Sequence, residues 1–206
     1  MNTFRESPLL SRTMPHGLHV NPGDKKVTLA DLSALGKAGL KGPAAAAWLE
    51  ARGIPLPQRY NSWLPLPQGG LIARLAVSEF FIEDVPGGIT AADVAQALES
   101  PVPGVWPVLR QDAGIALAGE RATELLAQAC SFDFADLGPG DRTAVMTSMA
   151  GVGVLVVRRD EPETLCYRIW CDPTYAPYLW GTLAGIAGEL GGGVIGAQTQ
   201  VGQDAS

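Results

Sequence analysis

Two cysteines and two tryptophans lie within the sixteen residues from Leu165 to Trp180. Thiolates that are close together could bind a metal ion or form a disulfide. In a strand, however, side chains alternate between faces, so Cys166 and Cys171, which are five residues apart, point in opposite directions. A zinc site would also need a second pair of ligands, which the sequence lacks. We therefore predict reduced, buried cysteines, with Cys166 and Trp170 on one face and Cys171 on the other.

The remaining motifs do not form a catalytic constellation. His16 and His19 could share a metal ion only in a helix, and the neighbouring prolines and glycine disfavour one. Cys130 would need a base beside it to act as a nucleophile, and both histidines are far away in sequence. The segment GGGVIG at 191–196 has the letters of a dinucleotide-binding motif, but it follows a predicted helix and does not open one. The sequence therefore predicts no catalytic residue, no metal ligand and no cofactor bound by this chain.

The charge of the chain limits its partners. The 206 residues carry a formal net charge of −6, which disfavours nucleic acid and anionic membrane surfaces because both attract clustered lysine and arginine. Only 17% of the residues are charged, against about 25% in a typical domain. This low fraction indicates that a partner covers part of the surface. The start of the chain has no long apolar run, so we predict no export signal and a cytoplasmic location.

The elements that would carry these residues follow one plan twice. Ala38–Gly53 and Gly114–Cys130 are each predicted to form a strand, a glycine turn and a helix. Each unit continues with strand candidates and closes with a second helix, Thr90–Ser100 in the first half and Thr174–Leu190 in the second. The order β-α-β-β-α, stated twice, predicts an α+β protein with two lobes related by an internal repeat.

The predicted boundaries follow from this repeat. We expect an N-terminal extended segment at 1–26, a first lobe at 27–100, a second lobe at 105–197 and a C-terminal tail at 198–206. The proline-rich join between the lobes is short, so they are expected to pack as one compact domain. The strand candidates are Gly70–Ser78 and Glu79–Asp84 in the first half, and Thr143–Arg159 and Thr164–Asp172 in the second.

The last predicted helix has an unusual surface. Its apolar stripe is expected to pack on the sheet of its own lobe and consists of Tyr175, Leu179, Leu183, Ile186 and Leu190. The opposite face carries three glycines, which together cost the helix about 3 kcal/mol relative to alanine. Either the first lobe or another protein could offset this cost by packing closely, and the low overall charge favours another protein. The candidate interface residues are Tyr178, Trp180, Gly181, Ala184, Gly185 and Gly188.

Two parts of the sequence resemble known families. The segments GERATELLAQACSFDFADLGPG, TSMAGVGVLVVRR and YRIWCDPTYAPYLWGTLAGIAGELG resemble the gamma subunit of heterotetrameric sarcosine oxidase, over roughly Ala113 to Gly191. The segment LADLSALGKAGLKGPAAAAWLE is similar to a pattern of the aminomethyltransferases (glycine cleavage T-protein), with matches at Asp31, Ser33, Gly36, Lys37 and Gly42. Ala34 stands where that family often has histidine. The resemblances imply the folate-binding fold of the T-protein and YgfZ-like group, with Asp31 as a candidate residue of a folate cleft between the lobes.

The resemblance also implies a role. Such complexes oxidise the N-methyl group of sarcosine or a related amino acid and pass the one-carbon unit to tetrahydrofolate. FAD, FMN, NAD and tetrahydrofolate are expected on other subunits, and the gamma subunit is expected to be non-catalytic and to pack against them. The implied partners are the alpha, beta and delta subunits. Two alternatives are a free-standing tetrahydrofolate-binding module and an independent aminomethyltransferase.

Overall fold

The computed structural model describes residues 7–9, 26–160 and 164–195. The strands in these ranges are β1 (Thr28–Asp31), β2 (Lys37–Lys41), β3 (Ser62–Pro65), β4 (Leu71–Ala76), β5 (Glu79–Glu83), β6 (Trp106–Val108), β7 (Ala113–Ala118), β8 (Ala144–Met149), β9 (Val152–Arg158), β10 (Cys166–Cys171) and β11 (Gly193–Ile195). The helices are α1 (Ala45–Glu50), α2 (Thr90–Ala97), α3 (Ala122–Ala129) and α4 (Ala176–Glu189), with a 3-10 helix at Phe134–Asp136.

The strands form two sheets, of which the six-stranded sheet is mixed and the five-stranded sheet is antiparallel. The six-stranded sheet has the order β11-β1-β7-β10-β9-β8, and the five-stranded sheet has the order β3-β4-β5-β2-β6. The pairs are antiparallel except for β1 and β11, which are parallel. The sheets are joined where β3 and β8 begin, because the Trp63 amide donates to the Arg142 carbonyl at 2.8 Å. The predicted α+β class is confirmed.

The core is divided into three layers of apolar side chains. Helices α3 and α4 pack on the outer face of the six-stranded sheet, and α1 and α2 pack on the outer face of the five-stranded sheet. The third layer lies between the sheets and contains Trp63, Leu71, Ala73, Phe81, Ala144, Val157 and Trp170. The protein is therefore a helix–sheet–sheet–helix sandwich. Among the described residues, no helix has the length and apolar character needed to cross a membrane.

Strand β10 alternates as predicted. Tyr167, Ile169 and Cys171 belong to the helix-side core, whereas Trp170 belongs to the layer between the sheets. All three cysteines of the chain are buried and none forms a disulfide, which confirms the prediction. Burial, and then the charges of two nearby aspartates, raise the pKa of the Cys171 thiol to about 12. This thiol is therefore protonated and a poor nucleophile at neutral pH.

The strand count per half was predicted incorrectly. The stretch Thr143–Arg159 is not one strand but a hairpin of β8 and β9, which turns at Ala150 and Gly151 with φ of 49° and 82°. The turn was missed because Ala150 is not a residue that normally marks a positive φ. The first half also has a further strand, β3, whose short sequence SWLP gives little periodicity and ends on a proline, as edge strands can.

The predicted lobe boundaries also differ from the sheets. Strand β1 was assigned to the first lobe at 27–100, but it pairs with β7 and β11 in the six-stranded sheet because Leu29 is fully buried in that sheet's core. Strand β6 was assigned to the second lobe at 105–197, but it pairs with β2. Most of the predicted N-terminal segment, including His16 and His19, lies outside the described residues, as does the predicted tail at 198–206 and the end of GGGVIG.

The two predicted glycine turns between strand and helix are observed. Gly42 follows β2 with φ of 129°, and a Cβ there would lie 2.3 Å from the Gly104 carbonyl oxygen. Gly119 follows β7 with φ of 122°, and a Cβ there would lie 2.5 Å from the Lys26 carbonyl oxygen. Only glycine fits both the backbone conformation and the close approach at these turns.

Candidate functional site

Asp31 has a structural set of contacts. It ends β1, and its Oδ1 accepts a hydrogen bond from the Ser33 amide at 2.9 Å. Its Oδ2 accepts a hydrogen bond from the Ser7 hydroxyl. These bonds fix the turn that leads from the six-stranded sheet to β2. Asp31 is not among the residues that line the open cleft between the two sheets. Its predicted role in a folate cleft stays a prediction.

A buried ionic cluster joins the two sheets. Lys37 and Glu83 come from neighbouring strands of the five-stranded sheet, and their Nζ and Oε2 atoms lie 3.5 Å apart. The Trp170 indole N–H donates to the same Glu83 oxygen, and Arg168 Nη1 lies 3.9 Å from the other. Lys37 also donates to the Ser33 carbonyl at 3.1 Å. Because both sheets contribute to it, this cluster fixes how they stack.

The buried ionic cluster was not predicted from the sequence. Burial raises the pKa of Glu83, and Lys37, Trp170 and Arg168 act in the opposite direction. Its signal in the sequence is a charged residue at the end of each of two apolar strand patterns, KAGL and FFIE, which would leave a charge in the core unless a partner is present. The pairing itself could not be predicted, since it depends on the register of β2 and β5.

An open cleft of about 430 Å³ is lined by residues of both sheets. We call it the central cleft. Phe81 and Trp170 form an edge-to-face pair in its wall, with ring centroids 5.1 Å apart. The other lining residues are Leu75, Arg110, Asp112, Met146, Thr147, Gly153, Val154, Leu155, Cys171 and Asp172. Among the described residues, no group of histidine, cysteine, aspartate and glutamate side chains could hold a metal ion.

The face of α4 that carries Tyr178, Gly181, Gly185 and Gly188 is exposed, and we call it the α4 glycine face. An added Cβ at any of the three glycines would meet no atom within 4 Å. No described residue of the first half therefore covers this face, which excludes one of the two alternatives left open by the sequence. A second protein as the cover remains a prediction.

The buried side of α4 differs from the predicted stripe. Tyr175 was predicted to pack on the sheet but is 58% exposed, because it precedes the first turn of the helix. Trp180 was predicted at the interface but is only 3% exposed and packs in the helix-side core. Ala184 is partly buried against the same core. The stripe in contact with the sheet is Ala176, Leu179, Trp180, Leu183 and Ala187.

The open space beside the α4 glycines leads to a testable result. Gly185→Ala is expected to raise the free energy of unfolding of the isolated chain by about 0.5–1 kcal/mol, because alanine has the higher helix propensity and its Cβ meets no neighbour. Urea unfolding measures the change. Gly42→Ala is the control and is expected to be destabilising, since the Cβ would collide with backbone. A destabilised Gly185→Ala variant would contradict the open packing of α4.

Two solved structures are similar to this chain. A chain of heterotetrameric sarcosine oxidase from Corynebacterium sp. U-96, in complex with pyrrole 2-carboxylate, superposes with a TM-score of 0.69 and 22% identity, covering 93% of this chain and 98% of that chain. Glycine cleavage system aminomethyltransferase T from Bartonella henselae superposes with a TM-score of 0.61 and 16% identity, covering 84% of this chain and 48% of that chain. No protein-family model and no curated protein matches the sequence.

These similarities define the fold. The chain has the aminomethyltransferase-like α+β fold, as the resemblance implied, and it spans about half of the aminomethyltransferase chain. The similarity to the sarcosine oxidase chain, in contrast, extends over nearly the full length of both chains.

Proposed function

We propose that this chain is the non-catalytic gamma subunit of a heterotetrameric, tetrahydrofolate-linked flavoenzyme that oxidatively demethylates sarcosine or a related N-methyl amino acid. Its role is to pack against the large catalytic subunits and stabilise them. The observation that carries this proposal is the superposition on a sarcosine oxidase chain over 98% of that chain's length. Two chains of matching length and fold are suited to the same place in an assembly.

The α4 glycine face supports a packing role. From Pro173 to Gln203 the only charged residue is Glu189. Gly181, Gly185 and Gly188 let a second backbone approach α4 to within a distance that side chains would prevent. Tyr178, which is 58% exposed, adds an aromatic side chain of the kind enriched in interfaces.

The contacts of the buried acidic groups support the absence of catalysis by this chain. The Glu83 carboxylate forms an ion pair with Lys37 and accepts a hydrogen bond from the Trp170 indole. Asp84 accepts a hydrogen bond from the Ala91 amide at 2.9 Å and so caps the start of α2. Burial raises the pKa of both carboxyl groups, but neither lines the central cleft.

The partners of this chain are the alpha, beta and delta subunits of a sarcosine oxidase-like complex. FAD, FMN, NAD and tetrahydrofolate are bound by subunits other than this chain, and the complex is cytoplasmic. We also propose that the two halves arose from one repeated unit. In support, the strand order β3-β4-β5-β2 of one sheet corresponds to β8-β9-β10-β7 of the other.

Affinity purification of the tagged chain from its native host tests the subunit role. The wild type is expected to bring down flavin-containing subunits, identified by mass spectrometry and by flavin absorbance. Gly185→Trp is expected to lose them, because its side chain fills the space that a partner needs. Gly138→Trp is the matched control, since Gly138 is also exposed with no neighbour near its Cβ but lies in a loop and not on α4.

Two outcomes would count against the proposal in different ways. A wild-type chain that purifies alone and without flavin would refute the subunit role. A complex that survives Gly185→Trp would retain the subunit role and refute the α4 glycine face as its interface.

The alternative of a free-standing tetrahydrofolate-binding module depends on the central cleft. Asp112 and Asp172 lie in its lining, where they would repel the anionic glutamate of a folate. Calorimetric titration of the isolated chain with tetrahydrofolate distinguishes the two functions, and we expect no heat of binding.

A further inference from the structure

The central cleft combines an apolar wall with an acidic rim. Its inner part is formed by the edge-to-face pair of Phe81 and Trp170, both almost fully buried. Further out, Met146 on β8 is 56% exposed, and it pairs across the hairpin with Leu155, which is partly buried. Exposed apolar side chains beside a cavity of about 430 Å³ leave apolar surface in contact with water. An occupant with an aliphatic portion would remove this contact.

The glycine in the cleft keeps it open. Gly153 on β9 lies opposite Ser148 and is exposed, and a Cβ there would meet no atom within 4 Å. A larger residue at this position would fill space on the same side as Met146 and Leu155. A single substitution at Gly153 can therefore fill part of the cleft.

The charges that face the cleft are unevenly matched. Arg110 is neutralised within the chain, because its Nη2 lies 2.6 Å from Glu79 Oε1. Within the part of the chain that the structure describes, Asp112 and Asp172 form no ion pair with a lysine or an arginine. Asp172 accepts hydrogen bonds from Thr174, which lower the pKa of its carboxyl group and keep it ionised. The net charge that remains at the rim is negative.

We propose that the central cleft receives a lysine or arginine side chain from the partner subunit. The aliphatic stem packs against Trp170, Leu155 and Met146, and the cationic head lies between Asp112 and Asp172. Long basic side chains combine an apolar stem with a charged tip, which matches an apolar wall below an acidic rim. The inference rests on the subunit role proposed above and adds a second contact, separate from the α4 glycine face.

Charge reversal at the rim tests the inference in the purified complex. Asp112→Lys is expected to weaken binding of this chain to its partner subunits by at least about tenfold, since like charges at an interface are strongly unfavourable. The affinity is measured by biolayer interferometry over a series of salt concentrations. Asp136→Lys is the matched control, because it makes the same charge change at an exposed position in the 3-10 helix, and its effect is expected to stay within about twofold.

A second variant tests the occupancy of the cleft without changing charge. Gly153→Leu fills the opening and is expected to weaken the complex, while urea unfolding of the isolated chain remains close to that of the wild type.

If Asp112→Lys and Gly153→Leu both leave the affinity unchanged, the inference is wrong and the subunit role stands. If Asp112→Lys strengthens binding, the occupant is acidic and the inference is also wrong. If tetrahydrofolate binds the isolated chain and Gly153→Leu abolishes that binding, a small molecule occupies the cleft instead. If the wild-type chain forms no complex, the subunit role and the inference fail together.

Discussion

Trp180→Ala is expected to lower the free energy of unfolding by about 3–5 kcal/mol, which is the usual cost of removing a buried tryptophan side chain. Trp180 is 3% exposed and packs with Leu179 and Leu183 in the core between α4 and the six-stranded sheet. The substitution would leave a large cavity in a core that cannot fully collapse. Since a domain of this size is stable by only about 5–15 kcal/mol, urea unfolding would show a large shift of the midpoint.

Tyr178→Ala is the matched control for this change. Tyr178 is also aromatic and lies two residues away on the same helix, but it is 58% exposed. Its replacement is expected to change the free energy of unfolding by less than about 0.5 kcal/mol. In an assay of binding to partner subunits, Tyr178→Ala should instead weaken the complex, although it hardly changes the free energy of unfolding. Equal effects of both substitutions on unfolding would contradict the assignment of Trp180 to the core.

Glu83→Ala is expected to cost about 3–5 kcal/mol of unfolding free energy, because it leaves a buried cation without its anion. The side chain of Lys37 is fully buried, that of Glu83 is 2% exposed, and the Trp170 indole would also lose its acceptor. Glu79→Ala is the control, since Glu79 lies on the same strand and pairs with Arg110 at a partly exposed site. Its cost is expected to be below about 1 kcal/mol. Similar costs for the two variants, measured by urea unfolding, would show that the buried ionic cluster has no special role.

The titration of Glu83 makes the free energy of unfolding depend on pH in a defined direction. Burial raises the pKa of Glu83, so the folded state binds this proton more tightly than the unfolded state does. The contribution of Glu83 to stability is therefore complete below the pKa of an unfolded glutamate and is lost as pH rises through the folded pKa. Relative to Glu83→Gln, which does not titrate, the wild type should lose stability over that range. A wild type that gains stability relative to Glu83→Gln over that range would contradict a raised pKa.

Periodicity was a reliable guide to strands and helices that bury one face. The alternation of β10 and the glycine turns at Gly42 and Gly119 could be predicted because each depends on local geometry. The assignment of β1 to the six-stranded sheet could not be predicted, since a four-residue strand has no local feature that selects between two sheets. The hairpin of β8 and β9 was missed for a related reason, because two apolar strands joined by Ala150 and Gly151 resemble one long strand.

The candidate sites were less accessible from the sequence. The α4 glycine face was found because three glycines in one helix violate helix propensity, which is a local signal. The central cleft was not, because its lining comes from strands of both sheets and from the join after β6. Trp180 was misplaced because the helical stripe was drawn from Tyr175, which lies outside the helix.

The parallel pairing of β1 with β11 has a consequence for how the chain folds on the ribosome. The five-stranded sheet contains no strand beyond Val108, so it can form while the rest of the nascent chain is still being made. Of the described strands, β1 is made first, yet its neighbour β7 is made only after that sheet is complete, and its other neighbour β11 only after α4. Until then Leu29 has no core to enter, so β1 stays unpaired while the five-stranded sheet forms.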